Sequence, residues 1–236
     1  ISSKMSYLIA IGTSVCGATA IVATAPVINA KKSEVAYAIA NITLFGVIAM
    51  IVYPYFAEWY FDNDALKTGL FLGTSIHETS QVAAAGLIYD QQFNSPETLN
   101  VATVTKLIRN TFLVILIPLF AFLYNRGELK GQNYSILSIF PYFVIGFIGM
   151  IVVRNIGDQF FTADSNNYGL WVNLIGYLKT LATVFLTMAM AAVGISINLS
   201  ELKSMGYKPF VVGLIAAITV GFISLIYIET LIKFII

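Results

Sequence analysis

Two adjacent ionisable residues, His77 and Glu78, lie in the middle of a long apolar stretch of the sequence. Ionisable groups at such positions in a membrane are costly, and they usually face protein or water and have functional roles. Glu78 could bind a proton or a cation, and His77 could change its charge near neutral pH. Alternatively, the apolar segment begins later along the chain, which would leave both side chains at a watery interface as ordinary polar groups.

Lys106 and Arg109 form a second candidate pair. Spacings of three and four residues place Thr103, Lys106 and Asn110 on one face of a helix, with Arg109 beside them. Two neighbouring cations repel each other unless an anion lies between them, so this pair indicates either an anionic substrate or an ion pair with Glu78. The alternative is that both long side chains snorkel to lipid headgroups.

Small and hydroxylated residues dominate two stretches, Gly12–Ala20 and Gly73–Gly86, which both begin with Gly-Thr-Ser. Such stretches either pack closely against other helices or break and line a cavity. Paired, interrupted segments are the best sequence indication of a transporter binding site.

Four hydroxyl groups in these stretches are candidates for helix capping. At the N-termini of half-helices they would lie beside free backbone N–H groups that attract anions. The alternative is close helix packing, with each hydroxyl bonded to the carbonyl four residues earlier. The four residues are Thr13, Ser14, Thr74 and Ser75.

Long apolar segments would position all of these residues. The chain has 236 residues, of which 58% are hydrophobic and only 11% charged, against about 25% charged residues in a soluble domain. We therefore predict an all-α, polytopic integral membrane protein, with residues 1–236 in one transmembrane domain. We expect the first and third segments to be interrupted or re-entrant. The seven segments are Tyr7–Ile28, Val35–Ala57, Gly69–Tyr89, Val101–Tyr124, Ile136–Val153, Leu170–Ile197 and Pro209–Ile232.

Composition argues against several other function classes. A net charge of +1 provides no field that would recruit nucleic acid. With one cysteine, Cys16, and one histidine, the chain has neither a disulfide framework nor a multi-histidine metal site. His77-Glu78 begins a zinc-protease pattern, but Gln81 stands where the second histidine is needed. We expect no enzyme activity, no metal centre and no cofactor apart from a coupling Na⁺ or H⁺.

Loop charges predict the orientation. Two basic loops are separated by two crossings and so lie on one face, whereas the intervening loop, Asn155–Tyr168, has no lysine or arginine. The positive-inside rule places the basic loops in the cytoplasm and the C-terminus on the outer side of the inner (plasma) membrane. Charge does not decide whether Gly69–Tyr89 crosses fully or re-enters. The basic loop residues are Arg126, Lys130, Lys203 and Lys208.

Both polar stretches resemble the YeiH family of bacterial inner-membrane proteins, and the resemblance covers essentially the whole chain. Its members have several more helices at the N-terminus, in keeping with a truncation that we expect because the chain begins at Ile1 within an apolar stretch. The motifs that carry the resemblance are Gly12–Ala18, Ala25–Ile28, Ser75–Gly86, Ala189–Gly194, Leu202 and Lys208-Pro209.

This resemblance implies a fold and a function. The family carries the label of a sulfate exporter and is similar to sodium/proton antiporters and bile-acid sodium symporters. Those relatives use inverted repeats, with broken helices that cross near the membrane midplane. By this resemblance, motif roles would fall on Gly12–Gly17 and Ser75–Gln81.

We therefore expect a secondary transporter of a small anion, such as sulfate or a sulfonate, that works by alternating access. His77 and Glu78 are the expected ion-coupling residues. The alternatives are a cation/proton antiporter with Glu78 as the ion ligand, and a non-transporting membrane receptor or scaffold. The expected partners of the transporter are the anionic solute and the lipid bilayer. Whether it forms a homo-oligomer is left open. The expected substrate-binding residues are Thr13, Ser14, Cys16, Gly17, Thr74, Ser75, Gln81, Lys106 and Arg109.

Overall fold

The computed structural model describes residues 1–113, 115, 116, 119, 142–162, 165, 167–196 and 207–235. All the regular secondary structure within these ranges is helical. The helices are α1 (Ser3–Ser14), α2 (Ala18–Thr24), α3 (Lys32–Phe61), α4 (Ala65–Ser75), α5 (Thr79–Phe93), α6 (Pro96–Thr111), α7 (Tyr142–Phe160), α8 (Tyr168–Ser196) and α9 (Lys208–Ile235).

These helices group into two compact units. The first comprises residues 1–139 and 197–236 and contains α1 to α6 and α9. In this unit α6 packs most extensively against α4 and α5, and α1 packs against α2, α3 and α9. The second unit, residues 140–196, contains α7 and α8. All the candidate site residues lie in the first unit.

Two of the described helices are long and apolar enough to cross a membrane. They are α3 and the Lys208–Thr230 part of α9, which overlap two of the predicted segments. Large apolar side chains such as Ile48 and Ile51 on α3 and Phe222 on α9 are exposed, as a lipid-facing surface requires. The basic loop residues Arg126, Lys130 and Lys203 lie outside the described residues, as do Leu202 and parts of the fourth, fifth and sixth segments. The count of seven spans therefore stays a prediction.

Both of the segments predicted to be interrupted are broken. In the first, α1 ends at Ser14 and α2 begins at Ala18; in the second, α4 ends at Ser75 and α5 begins at Thr79. Gly17 breaks the first segment because its backbone, with φ 61° and ψ −123°, has a conformation that only glycine adopts readily. The second break follows from extended backbone at Ile76 and Glu78, and Glu78 is the N-cap of α5.

Small residues allow α6 to approach the second broken segment closely. A Cβ atom added at Gly73 of α4 would lie 2.7 Å from both the Ala102 carbonyl oxygen and the Thr105 Cβ. One added at Gly86 of α5 would lie 2.9 Å from the Cα of Leu99. Glycines at these contacts let the backbones meet, as in many membrane helix pairs. This packing fixes the position of the α6 side chains that reach the breaks.

Candidate functional site

The two helix breaks lie against each other. The backbone N–H of Ala18, at the start of α2, donates a hydrogen bond to Glu78 Oε1 at 2.7 Å. Gly17 is in direct contact with the Glu78 carboxylate, so a side chain at Gly17 would displace it. Glu78 is also the N-cap residue of α5. One buried carboxylate therefore connects both interruptions.

Lys106 reaches the same place from α6. This side chain is fully buried, and its Nζ donates to the carbonyl oxygens of Val15 at 2.7 Å, Ile76 at 2.9 Å and His77 at 2.5 Å. The three acceptors belong to the unwound residues of the two breaks. The alternative that Lys106 snorkels to lipid headgroups is thus wrong, because the ammonium group binds carbonyl groups inside the protein.

Arg109 lies one turn further along α6 and is half-buried. Its Nε donates to the carbonyl oxygen of Ser14 at 2.8 Å, and its Nη1 donates to those of Thr74 at 2.6 Å and Ile76 at 3.2 Å. Its Nη2 donates to the carbonyl oxygen of Thr13. Together the two cations therefore bind backbone carbonyl groups at the ends of α1 and α4 and in the breaks that follow, and they share the Ile76 oxygen.

These contacts have a simple electrostatic cause. The last carbonyl groups of a helix have no intrahelical partner, and the helix dipole gives this end a partial negative charge. Here Val15, Ile76 and His77, which follow the C-terminal ends of α1 and α4, are buried, so side chains must supply the donors that water cannot. Lys106 and Arg109 supply the missing donors and offset the negative charge.

The hydroxyl groups lie at the opposite helix ends from those expected. Thr13 and Ser14 are in the last turn of α1, and Thr74 and Ser75 are in the last turn of α4, so they do not cap N-termini. Three of the hydroxyls donate back to the carbonyl four residues earlier, at 2.7 Å for Ser14, 2.6 Å for Thr74 and 2.5 Å for Ser75. The alternative of hydroxyls bonded within the helix applies to these three. The buried Thr13 Oγ1 has no hydrogen-bond partner.

Gln81 and Cys16 differ in their surroundings. Gln81 connects the second break to α3, because its Oε1 accepts from the Glu78 N–H at 3.3 Å and its Nε2 donates to the Thr43 carbonyl at 3.2 Å. Cys16 is a buried free thiol within the apolar cluster around α1, α2 and α3. Cys16, next to Gly17 in the sequence, therefore packs as a small side chain in this cluster.

His77 and Glu78 are both enclosed by protein. They are 2% and 8% exposed, so the alternative of a watery interface is wrong for both. The Nδ1 atom of His77 is buried without a hydrogen-bond partner. A buried nitrogen of this kind can still bind a proton, a water molecule or a ligand group. Within the described residues, no group of three or more His, Cys, Asp or Glu side chains could hold a metal ion.

Some contacts of the site have no signal in the sequence. Backbone oxygens of Val15, Ile76 and His77 bind Lys106, and no side-chain pattern marks backbone atoms. Asn110 was placed correctly on the Lys106 face, and its Nδ2 donates to Thr79 Oγ1 at 3.1 Å. Ser224 of α9, which lies 2.5 Å from Thr74 Oγ1, sits in a segment that looks like a featureless scaffold helix.

Comparison with known proteins decides the family. Residues 1–213 match the family described as "Conserved hypothetical protein 698". The chain belongs to this family. Similar proteins include the UPF0324 membrane protein of Fusobacterium nucleatum subsp. nucleatum, which is 35% identical over 231 residues, covering 95% of this chain and 66% of the relative. The UPF0324 membrane protein of Photorhabdus laumondii subsp. laumondii is 34% identical over 217 residues, covering 88% of this chain and 56% of the relative.

Members of the family are thus membrane proteins by name, and this chain spans only 56% to 66% of the length of these two relatives. No solved structure matches the chain. For Conserved hypothetical protein 698, the geometry of the two broken segments comes from this chain itself. That geometry and the membrane character of the relatives are the basis for a functional proposal.

Proposed function

We propose that this chain is the larger part of a secondary transporter that moves a small anion across the bacterial inner membrane by alternating access. The observation that carries the proposal is the meeting of two broken helices at a buried carboxylate and two cations. In secondary transporters the substrate and coupling-ion sites are typically formed by discontinuous helices near the bilayer midplane. The resemblance to the YeiH family and its sulfate-exporter label supports the same conclusion.

The charges at the breaks favour an anion. Lys106 and Arg109 bring two positive charges, whereas Glu78 brings one negative charge among the described side chains at the breaks. The carbonyl groups that surround the cations carry only partial charges, so a net positive side-chain charge remains. A singly charged sulfonate would balance this net charge, and a doubly charged sulfate would leave one negative charge to be offset by a coupled cation. Arg109 is less buried than Lys106 and is therefore the cation nearer to a solute.

In this proposal His77 and Glu78 couple transport to protons or sodium. Glu78 holds the breaks together as a carboxylate, so its protonation would weaken the Ala18 contact and loosen the crossing. The unpartnered His77 Nδ1 and Thr13 Oγ1 would provide polar groups to the solute or to water. The inverted-repeat fold, the seven spans, the external C-terminus and a homo-oligomeric assembly belong to the proposal for the full-length protein.

Cation/proton antiport is the second candidate, because a buried intramembrane carboxylate such as Glu78 is also a suitable cation ligand. The two candidates differ in one property. An anion transporter moves labelled anion in proportion to the imposed gradient, whereas an antiporter moves protons against a cation with no dependence on the anion.

The test uses the full-length protein in proteoliposomes, with labelled sulfate, sulfite or taurine and an imposed pH or sodium gradient. We expect gradient-driven uptake of at least one anion, and we expect Glu78→Gln to abolish the gradient dependence while the protein remains folded. Glu97→Gln is the matched control, since Glu97 is an exposed carboxylate in the first turn of α6. Unchanged flux and unchanged ion dependence in Glu78→Gln would refute the coupling role, and proton flux without any anion dependence would favour antiport.

A further inference from the structure

The ammonium group of Lys106 is coordinated in the way that an unwound helix pair coordinates a free cation. A protonated lysine has three N–H donors and no acceptor. Here three carbonyl oxygens, from Val15, Ile76 and His77, lie 2.5 to 2.9 Å from Nζ. The number of N–H donors on a charged ammonium equals the number of carbonyl acceptors around Nζ, so the geometry fits the charged form.

These carbonyls come from the two breaks, not from regular helix. Val15 caps the end of α1, Ile76 caps the end of α4, and His77 lies in the unwound link to α5. In secondary transporters, unwound carbonyls and the C-terminal ends of half-helices are the groups that bind the coupling Na⁺ or H⁺. In this chain the same kind of cage is already filled by a side chain.

Arg109 takes up the neighbouring oxygens. Together the two cations of α6 bind the carbonyl groups of Thr13, Ser14, Val15, Thr74, Ile76 and His77. The close packing of α6 on Gly73 holds both side chains at the breaks. A free metal ion would have to displace a tethered, fully buried ammonium to reach the same oxygens.

We propose that Lys106 is a built-in substitute for a metal cation, so that the crossing of the two breaks needs no bound sodium. This inference rests on the proposed transport function for its role, and it narrows the coupling ion at this site to the proton. Its structural content, a carbonyl cage that accepts one monovalent cation, can be tested without any transport measurement.

The experiment measures thermal unfolding of the full-length protein in detergent, in sodium chloride, methylammonium chloride or choline chloride of equal concentration. We expect the wild type to melt at the same temperature in all three salts. Lys106→Ala empties the cage and should melt roughly 10 °C lower in choline, since it leaves buried acceptors unpaired. Methylammonium or sodium should then restore part of the loss. Lys32→Ala, which removes an exposed lysine at the start of α3, should show neither the loss nor the recovery.

Two results would overturn the inference. One is a wild type that sodium stabilises relative to choline, and the other is a Lys106→Ala variant that responds to sodium and methylammonium no more than to choline. If Lys106→Ala does not fold, the wild-type comparison decides alone. An absence of anion flux would contradict the proposed function but would not change these melting temperatures. The two experiments therefore test the proposed function and the carbonyl cage independently.

Discussion

The backbone N–H of Ala18 and the carboxylate of Glu78 form a hydrogen bond of 2.7 Å between residues that are 60 positions apart in the sequence. Each partner lies at a helix interruption, so the contact makes the geometry of one break depend on the other. Gly17 permits it, because any larger residue would occupy the space of the carboxylate.

Two replacements of Glu78 distinguish the effect of its charge from its role as a hydrogen-bond acceptor. Glu78→Gln keeps an oxygen that can accept from Ala18, whereas Glu78→Ala leaves that buried N–H unpaired, at a cost of about 1–3 kcal/mol. We therefore expect Glu78→Ala to lower the melting temperature clearly more than Glu78→Gln. Glu97→Ala, at an exposed site, should have little effect. Equal melting temperatures for the two Glu78 variants would contradict the hydrogen-bonding role.

Gly17→Ala should destabilise the protein for two reasons. The added methyl group would clash with the Glu78 carboxylate, and a side chain at φ 61° costs about 1 kcal/mol or more. Gly169→Ala is the control, because Gly169 has open space around it and lies in the first turn of α8. Thermal unfolding should show a loss for Gly17→Ala and no loss for Gly169→Ala, and similar melting of the two variants would count against the strained break.

Arg109→Lys is not a conservative change at this site. The guanidinium group uses Nε, Nη1 and Nη2 to donate to four carbonyl groups, and a single ammonium cannot reach all of them. We expect a loss of about 1–3 kcal/mol in the free energy of unfolding. The control is Arg154→Lys, at an exposed ion pair with Asp158, where the change should be small. A stable Arg109→Lys protein would mean that these carbonyls find other donors.

Gly73→Leu should disrupt the packing of α4 on α6. A side chain there would enter the space of Thr105 and of the Ala102 carbonyl, and α6 would have to move away from the breaks. We expect weaker thermal stability and, in the proteoliposome assay, loss of anion flux. If Gly73→Leu melts and transports like the wild type, α6 does not depend on this close approach.

The pKa of the Asp158 carboxyl group determines how the stability of the second unit depends on pH. Hydrogen bonds from the Trp171 indole and from Arg154 lower the pKa of the Asp158 carboxyl group. Since its pKa is lower when folded, its contribution to stability is present above the unfolded pKa of about 3.9 and is lost as the pH falls through the folded pKa.

Trp171 fluorescence should reveal this titration in a variant that keeps Trp171 as its sole tryptophan, with Trp59, the other tryptophan of this chain, replaced by phenylalanine. We expect a midpoint below the ordinary aspartate value and its disappearance in Asp158→Asn. A midpoint at or above the ordinary value would contradict the assignment.

The positions of the helix breaks could be predicted from the sequence because glycine and clustered small polar residues mark them locally. The positions of the hydroxyls relative to those breaks could not. Ser14, Thr74 and Ser75 bond to carbonyls of their own helices, so the Gly-Thr-Ser stretches continue the helix and the break comes afterwards. The helices stop at Val15 and Ile76, whose backbones are not helical, and the next helices begin after the N-caps Gly17 and Glu78.

The roles of Lys106 and Arg109 needed tertiary information. Their spacing correctly places them on neighbouring positions of one helix, but their acceptors are backbone oxygens 29 to 96 residues away. Every residue has a backbone oxygen, so residue types do not indicate which of these oxygens accept hydrogen bonds from Lys106 and Arg109. The spacing leaves an anionic substrate, an ion pair with Glu78 and lipid headgroups as alternatives, and none of these is a carbonyl group of another helix.

The carbonyl oxygen of Ile76, which both cations share, limits how the molecule can change shape. If α4 slid along α6 by one helical turn, the buried carbonyl oxygens of Ile76 and His77 would lose their donors at the same moment, at a cost of about 1–3 kcal/mol for each oxygen. Rearrangements of the full-length protein are therefore easier if α1, α4 and α6 travel as one rigid block and the sliding surface lies elsewhere.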